Sequence, residues 1–133
     1  MTIRKVTTPA VPQPAGGIYS NCLVVGDQIF LAGVTAGGAD GKAIGGADVY
    51  AQSKVVLDRI RALVEAAGAS LADVVKITVY LTDVTQRAAF GRARAECFAE
   101  PRPCSTLIGV NALVSPDLLV EVDAVALRGA SAA

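Results

Sequence analysis

The chain has 133 residues, with 12 Lys plus Arg balanced by 12 Asp plus Glu, and no histidine. A neutral chain with no basic cluster has nothing with which to neutralise a phosphate backbone, so a nucleic-acid partner is not expected. Without histidine the commonest metal ligand and the commonest general base are missing, and no apolar run reaches the ~18 residues of a membrane span.

Ile3 to Val6 is a short β-like piece. Pro9, Pro12, Pro14 and Gly16-Gly17 then forbid a regular helix or a central strand and predict a loop. Two β-rich runs, Tyr19 to Val25 and Gln28 to Thr35, flank Gly26-Asp27 and read as a hairpin. Gly37 to Gly46 holds five glycines. Gly41 is followed by Lys42-Ala43 rather than Lys-Ser or Lys-Thr, so this is a loop and not a phosphate cradle.

Asp48 to Ala67 is the strongest helix: Val49, Val56, Ile60, Leu63, Val64 and Ala67 recur at helical spacing. Asp58, Arg59, Arg61 and Glu65 lie off that stripe, and Gly68 supplies the stop. After a short connection, Leu71 to Val74, the residues Val75, Ile77, Val79 and Leu81 alternate with Lys76, Thr78, Tyr80 and Thr82 as a half-buried strand. Asp83 or Thr85 caps a second helix running to about Phe98, with Ala89, Phe90, Ala93 and Cys97 on its buried face.

The last two runs, Pro101 to Val110 and Leu119 to Ala126, flank a turn-like Ser115-Pro116-Asp117 and read as an antiparallel pair. Within the second run Val120, Val122, Ala124 and Ala126 share one face, and Glu121 and Asp123 share the other. Gly129 to Ala133 reads as a frayed tail. The order hairpin, helix, strand, helix, hairpin predicts an α+β domain over residues 1–133, with two helices on one face of a mixed sheet. Val34, Thr106, Ile108 and Val110 are placed on the opposite face. Apolar residues make up 53% of the chain, more than a small domain hides, so another subunit is expected to cover that face. Cys22, Cys97 and Cys104 form no CxxC and follow no signal peptide, which predicts reduced thiols and a cytoplasmic location.

Four stretches carry a resemblance: Pro14-Ala15-Gly16-Gly17-Ile18-Tyr19-Ser20-Asn21, Gly26-Asp27-Gln28-Ile29-Phe30-Leu31-Ala32-Gly33, Val75 to Asp83, and Leu119 to Ala126. In this order they resemble the RidA/YjgF family of enamine/imine deaminases across nearly the whole chain. The resemblance implies a chorismate-mutase-like fold, a homotrimer with clefts between subunits, a small-molecule substrate, and no metal or organic cofactor. Active members carry an arginine after Pro-Ala before the fifth strand, which grips the substrate carboxylate through two parallel hydrogen bonds. Aligned on Thr106 to Val110, that place falls to Ser105, and Pro-Ala becomes Pro103-Cys104. The usual helix asparagine is Gly91, the serine before Gly33 is Ala32, and the glutamine after it is Val34. Tyr19, Gly33, Thr106 and Glu121 are retained.

The resemblance makes Glu121 and Ser105 the candidate catalytic residues and Tyr19, Gly33, Arg102, Cys104 and Thr106 the candidate substrate contacts. Each has a plainer reading. Glu121 is either a carboxylate of raised pKa that shuttles protons or a solvated strand charge; Asp123 beside it reads as structural or ion-paired. Cys104 is either a thiol partly ionised beside Arg102 or a small buried residue. Ser105 either donates to substrate or caps its own turn. Arg102 either reaches the cleft or lies on the surface, and Tyr19 either binds substrate or plugs an interface. Three functions follow: hydrolysis of an imine or enamine C=N bond that does without the missing arginine, an aminomuconate-type enamine being one fit; a non-catalytic trimer that binds a small metabolite; and a ribonuclease, which neutral charge and absent histidine disfavour.

Overall fold

The computed structural model describes residues 2–132. Six strands form one sheet: β1 (Ile3–Lys5), β2 (Cys22–Val25), β3 (Gln28–Val34), β4 (Val74–Leu81), β5 (Cys104–Gly109) and β6 (Val120–Leu127). Their spatial order is β1-β2-β3-β6-β4-β5, and only β4 and β5 run parallel. Helices α1 (Val49–Ala66) and α2 (Arg87–Cys97) complete the mixed α+β fold.

The helical stripe read from sequence is the core. Val56, Leu57, Ile60, Leu63 and Val64 of α1 are fully buried, as are Phe90 and Ala93 of α2. They meet Ile29, Ile77, Val79, Leu81, Val120, Val122 and Ala126 on one sheet face. Asp48 caps α1, accepting the Ala51 N–H at 3.2 Å, and Gly68 at φ 86° ends it. The β2–β3 hairpin turns on Gly26-Asp27, with Val25 opposite Gln28.

Several expectations change. β5 and β6 do not form a hairpin: β5 pairs in parallel with β4, and β6 lies between β3 and β4, antiparallel to both. α2 is the crossover between β4 and β5, and parallel neighbours need such a crossover rather than a tight turn. Val75 leaves the core face because the β4–β6 register shifts between Val74 and Lys76, one extra residue being enough to turn a side chain over. Val34 is buried on the core face opposite Val122 after a second shift, between Leu31 and Val34. Asp83 caps a single 3-10 turn, Val84–Gln86, that leads into α2. Part of the supposed tail is tied down, since the Ser131 N–H donates to Asp73 at 2.8 Å; Ala133 lies outside the described residues.

Gln52, fully buried on α1, staples the entry to β6. Its Nε2 donates to the Gly46 carbonyl at 2.7 Å and the Asp117 carbonyl at 2.9 Å, and its Oε1 accepts the Leu119 N–H at 3.0 Å. One side chain thereby satisfies three backbone groups that the sheet does not reach.

Candidate functional site

The face of the sheet away from the helices is built in rows. Ile108, Tyr80 and Glu121 lie side by side on β5, β4 and β6; Thr106, Thr78 and Asp123 form the next row, and Cys104, Lys76 and Val125 the one after. Paired residues share a face, so all nine project away from the helices. The Tyr80 hydroxyl donates to Asp123 Oδ2 at 2.9 Å. Asp123 is thus the structural acceptor that the sequence suggested, and this bond first, then burial and the charges of Asp123 and Glu121, raise the Tyr80 pKa.

Glu121 is half-buried, and its carboxyl pKa is raised, chiefly by loss of water and secondarily by the charge on Asp123. Its side chain occupies the space that a side chain on Gly33 would take. A Cβ added there would stand 2.7 Å from Glu121 Cδ and 2.9 Å from Oε2. Glycine at position 33 is therefore what lets this carboxyl lie flat against β3. A carboxyl with a raised pKa can give and take a proton nearer neutrality than an ordinary one.

Beyond Gly33 lies a cavity of about 170 Å³ bordered by the loop Val11 to Pro14, Tyr19, Asn21, the end of β3 and Arg59. A larger cavity of about 580 Å³ opens at the start of β5, where Leu71, Val75, Phe98, Pro101, Arg102 and Cys104 line it. There Arg102 is paired with Glu100.

The candidate residues therefore separate. Glu121, Gly33 and Tyr19 gather at one end, and Thr106 is on the same sheet face two strands away from Glu121. Arg102 and Cys104 belong to the large cavity. Ser105 is paired with Ile77 of the core face, and its hydroxyl accepts a hydrogen bond from Arg94 Nη1 at 3.0 Å. Pairing of the last two runs, as expected from the sequence, would put Ser105 on the strand beside Glu121; instead β4 separates the strands, and Ser105 projects toward the helices. The β5 residues that share the Glu121 face are Cys104, Thr106 and Ile108, with Ile108 in its own row. Arg59 lies off the apolar stripe of α1. Its spacing on α1 carries no hint that the end of β3 curls back to meet it.

This arrangement, a six-stranded mixed sheet backed by two helices with a carboxyl set into its open face, defines a class of α+β protein. The family described as Endoribonuclease L-PSP matches residues 9–128, and the chain belongs to this family, also known as YjgF/RidA. It is 38% identical over 124 residues to a RutC family protein of Pyrococcus abyssi, covering 92% of this chain and 95% of the relative. It is 27% identical over 125 residues to a protein of Dermatophagoides farinae named 2-iminobutanoate/2-iminopropanoate deaminase, covering 90% and 97%. Among solved structures, RidA of an Antarctic Psychrobacter superposes with TM-score 0.83 at 30% identity, covering 93% of this chain and 98% of that one. A Pseudomonas aeruginosa protein superposes with TM-score 0.85 at 39% identity, covering 95% and 92%. The family thus includes imine/enamine deaminases alongside members named endoribonuclease.

Proposed function

We propose that this chain is a cofactor-independent hydrolase of the C=N bond of an imine or enamine metabolite, working as a homotrimer. The observation that carries the proposal is Glu121, a half-buried carboxyl of raised pKa packed against Gly33. In the reaction Glu121 takes a proton from water as the oxygen bonds to the imine carbon and gives it to the nitrogen, forming a carbinolamine. It then moves the proton of the new hydroxyl to the amine, and the C–N bond breaks to leave a carbonyl compound and ammonia. An enamine first takes a proton on carbon to become the imine. The deaminase name of the mite relative supports this reading.

Two features support assembly. Phe30, Ile108 and Leu127 are exposed apolar residues on the open sheet face, a pattern that marks a contact surface. Cys104 and Glu121 are four residues and two strands apart in register, which is roughly 16 Å by strand geometry. The large cavity at the start of β5 and the Glu121 carboxyl can therefore serve one small substrate only across a subunit boundary. Three free cysteines accord with a reducing, cytoplasmic setting.

The test is ammonia release from a panel of freshly generated imines and enamines, with light scattering on the same sample. Release by a trimer is expected. A stable monomer at micromolar concentration refutes the interfacial cleft, and no release from any panel member refutes the hydrolase. The second reading, a trimer that binds a metabolite without turning it over, draws on Ser105 standing where active members of the family carry an arginine. In this structure Ser105 is bonded to Arg94, and Arg102 is paired with Glu100.

A further inference from the structure

We infer that Arg59 and the small cavity around it form a binding site for the carboxylate of a small organic acid. Arg59 reaches from α1 past the end of β3, where Nη1 donates to the Thr35 carbonyl at 2.6 Å. A guanidinium carries five N–H donors; this bond uses one. No carboxylate among the described residues lies within salt-bridge distance of Arg59, although four other cations of the chain have such partners. Among the described residues it is the single charged group lining the cavity. Partial burial lowers its pKa. A forked guanidinium is matched best by a planar carboxylate held through two parallel bonds.

The walls limit what enters. At about 170 Å³ the space is well under the ~300 Å³ at which drug-sized ligand sites begin, so the acid is small. The polar groups that remain suit an anion's far end rather than compete for Arg59. One N–H of the buried Asn21 amide is used on the Pro12 carbonyl at 2.9 Å. The Tyr19 hydroxyl has no partner among the described residues, and its ring is half exposed at the mouth. Pro12 and Pro14 line the wall without offering an N–H. Gly33 belongs both to this wall and to the seat of Glu121. An acid held by Arg59 would therefore share a wall with the Glu121 carboxyl. Arg59 would then supply the charge recognition that Arg102 and Ser105 do not. That it is the substrate's carboxylate rests on the proposed hydrolase; that the site binds one does not.

The experiment is calorimetric titration of the intact protein with 2-oxobutanoate, a stable keto acid, and with its neutral amide and inorganic phosphate in parallel. Binding of 2-oxobutanoate is expected, with the amide weaker by roughly tenfold to a hundredfold for loss of a charge-assisted pair. Arg59→Gln, which removes the charge and the fork, should weaken the keto acid by the same factor and leave the amide unchanged. Arg59→Lys should fall between, keeping the charge and losing the fork. Equal binding of acid and amide by the wild-type protein, no binding of either, or tighter binding of phosphate overturns the inference whether or not the variants fold. Ammonia release is followed separately. Arg59-dependent binding without ammonia release upholds the site and refutes the hydrolase. Ammonia release with Arg59-independent binding does the reverse.

Discussion

Gly33→Ala is the sharpest probe of the carboxyl seat. The new methyl group would sit 2.7 Å from Glu121 Cδ, 2.9 Å from Oε2 and 3.0 Å from Cγ. Ordinary contact begins near 3.4 Å, so the carboxyl must retreat by roughly 0.7 Å or more. Glu121 is half-buried and its end is free to swing, so the cost in stability is that of an off-rotamer side chain, about 0.5–1.5 kcal/mol. Against this, replacing glycine in a compatible backbone conformation stabilises by about 0.4–1 kcal/mol through the unfolded chain. The two offset each other, and Tm should move by no more than about 5 °C. Turnover should not be spared, because a displacement of about 1 Å in a reacting group costs on the order of a hundredfold. The assay is steady-state ammonia release on the best imine, with thermal unfolding on the same preparation. Wild-type turnover in a folded Gly33→Ala protein would show that the position of Glu121 is immaterial to the reaction. A collapse of Tm by tens of degrees would show that Gly33 is required for the fold instead.

Glu121→Gln should cut turnover by ~10²–10⁴ while keeping shape. Because burial raises the Glu121 pKa in the folded protein, this group favours folding fully only below the ordinary carboxylate pKa. Its contribution is lost as pH rises through the raised one. Wild-type stability should therefore decline over that window in denaturant titrations, and the decline should vanish in Glu121→Gln; an unchanged slope would refute the assignment. Cys104→Arg, on the Glu121 face, should strengthen binding of small 2-oxo acids in calorimetry. Ser105→Arg should not, because position 105 projects toward Arg94; improvement by the latter alone would contradict the register. Gln52→Ala should destabilise by about 2–4 kcal/mol in urea unfolding, since it strands the Gly46 and Asp117 carbonyls and the Leu119 N–H.

What the sequence made legible was local. The spacing of Val56, Ile60, Leu63 and Val64 located α1, and the alternation of Val120 to Ala126 located β6 and sent Glu121 to the outer face. What it hid was non-local. Alternation in Cys104 to Gly109 says that a strand exists and nothing about its neighbour, so Ser115-Pro116-Asp117 suggested a hairpin where the chain instead crosses past β4. The face of Ser105 turned on a single residue of alignment, and with period-2 side chains one step exchanges Ser105 for Cys104. Two register shifts, at Val74/Lys76 and Leu31/Val34, moved Val75 and Val34 in the same way. Arg59 offered no signal, because its partner carbonyl on Thr35 is brought to it only by the tertiary fold.

The position of β6 bears on how the protein is made. β1, β2 and β3 form one group of strands, β4 and β5 another, and β6, which follows all of them in sequence, is the strand that joins the two. While a ribosome is still synthesising residues 120–127, neither group can pair with the other, and β3 and β4 each present a bare edge. Such edges are templates for pairing with other chains. The nascent protein should therefore lean on chaperones until β6 emerges, and a nonsense mutation or a pause just before Val120 should yield aggregate rather than a partly folded, soluble fragment.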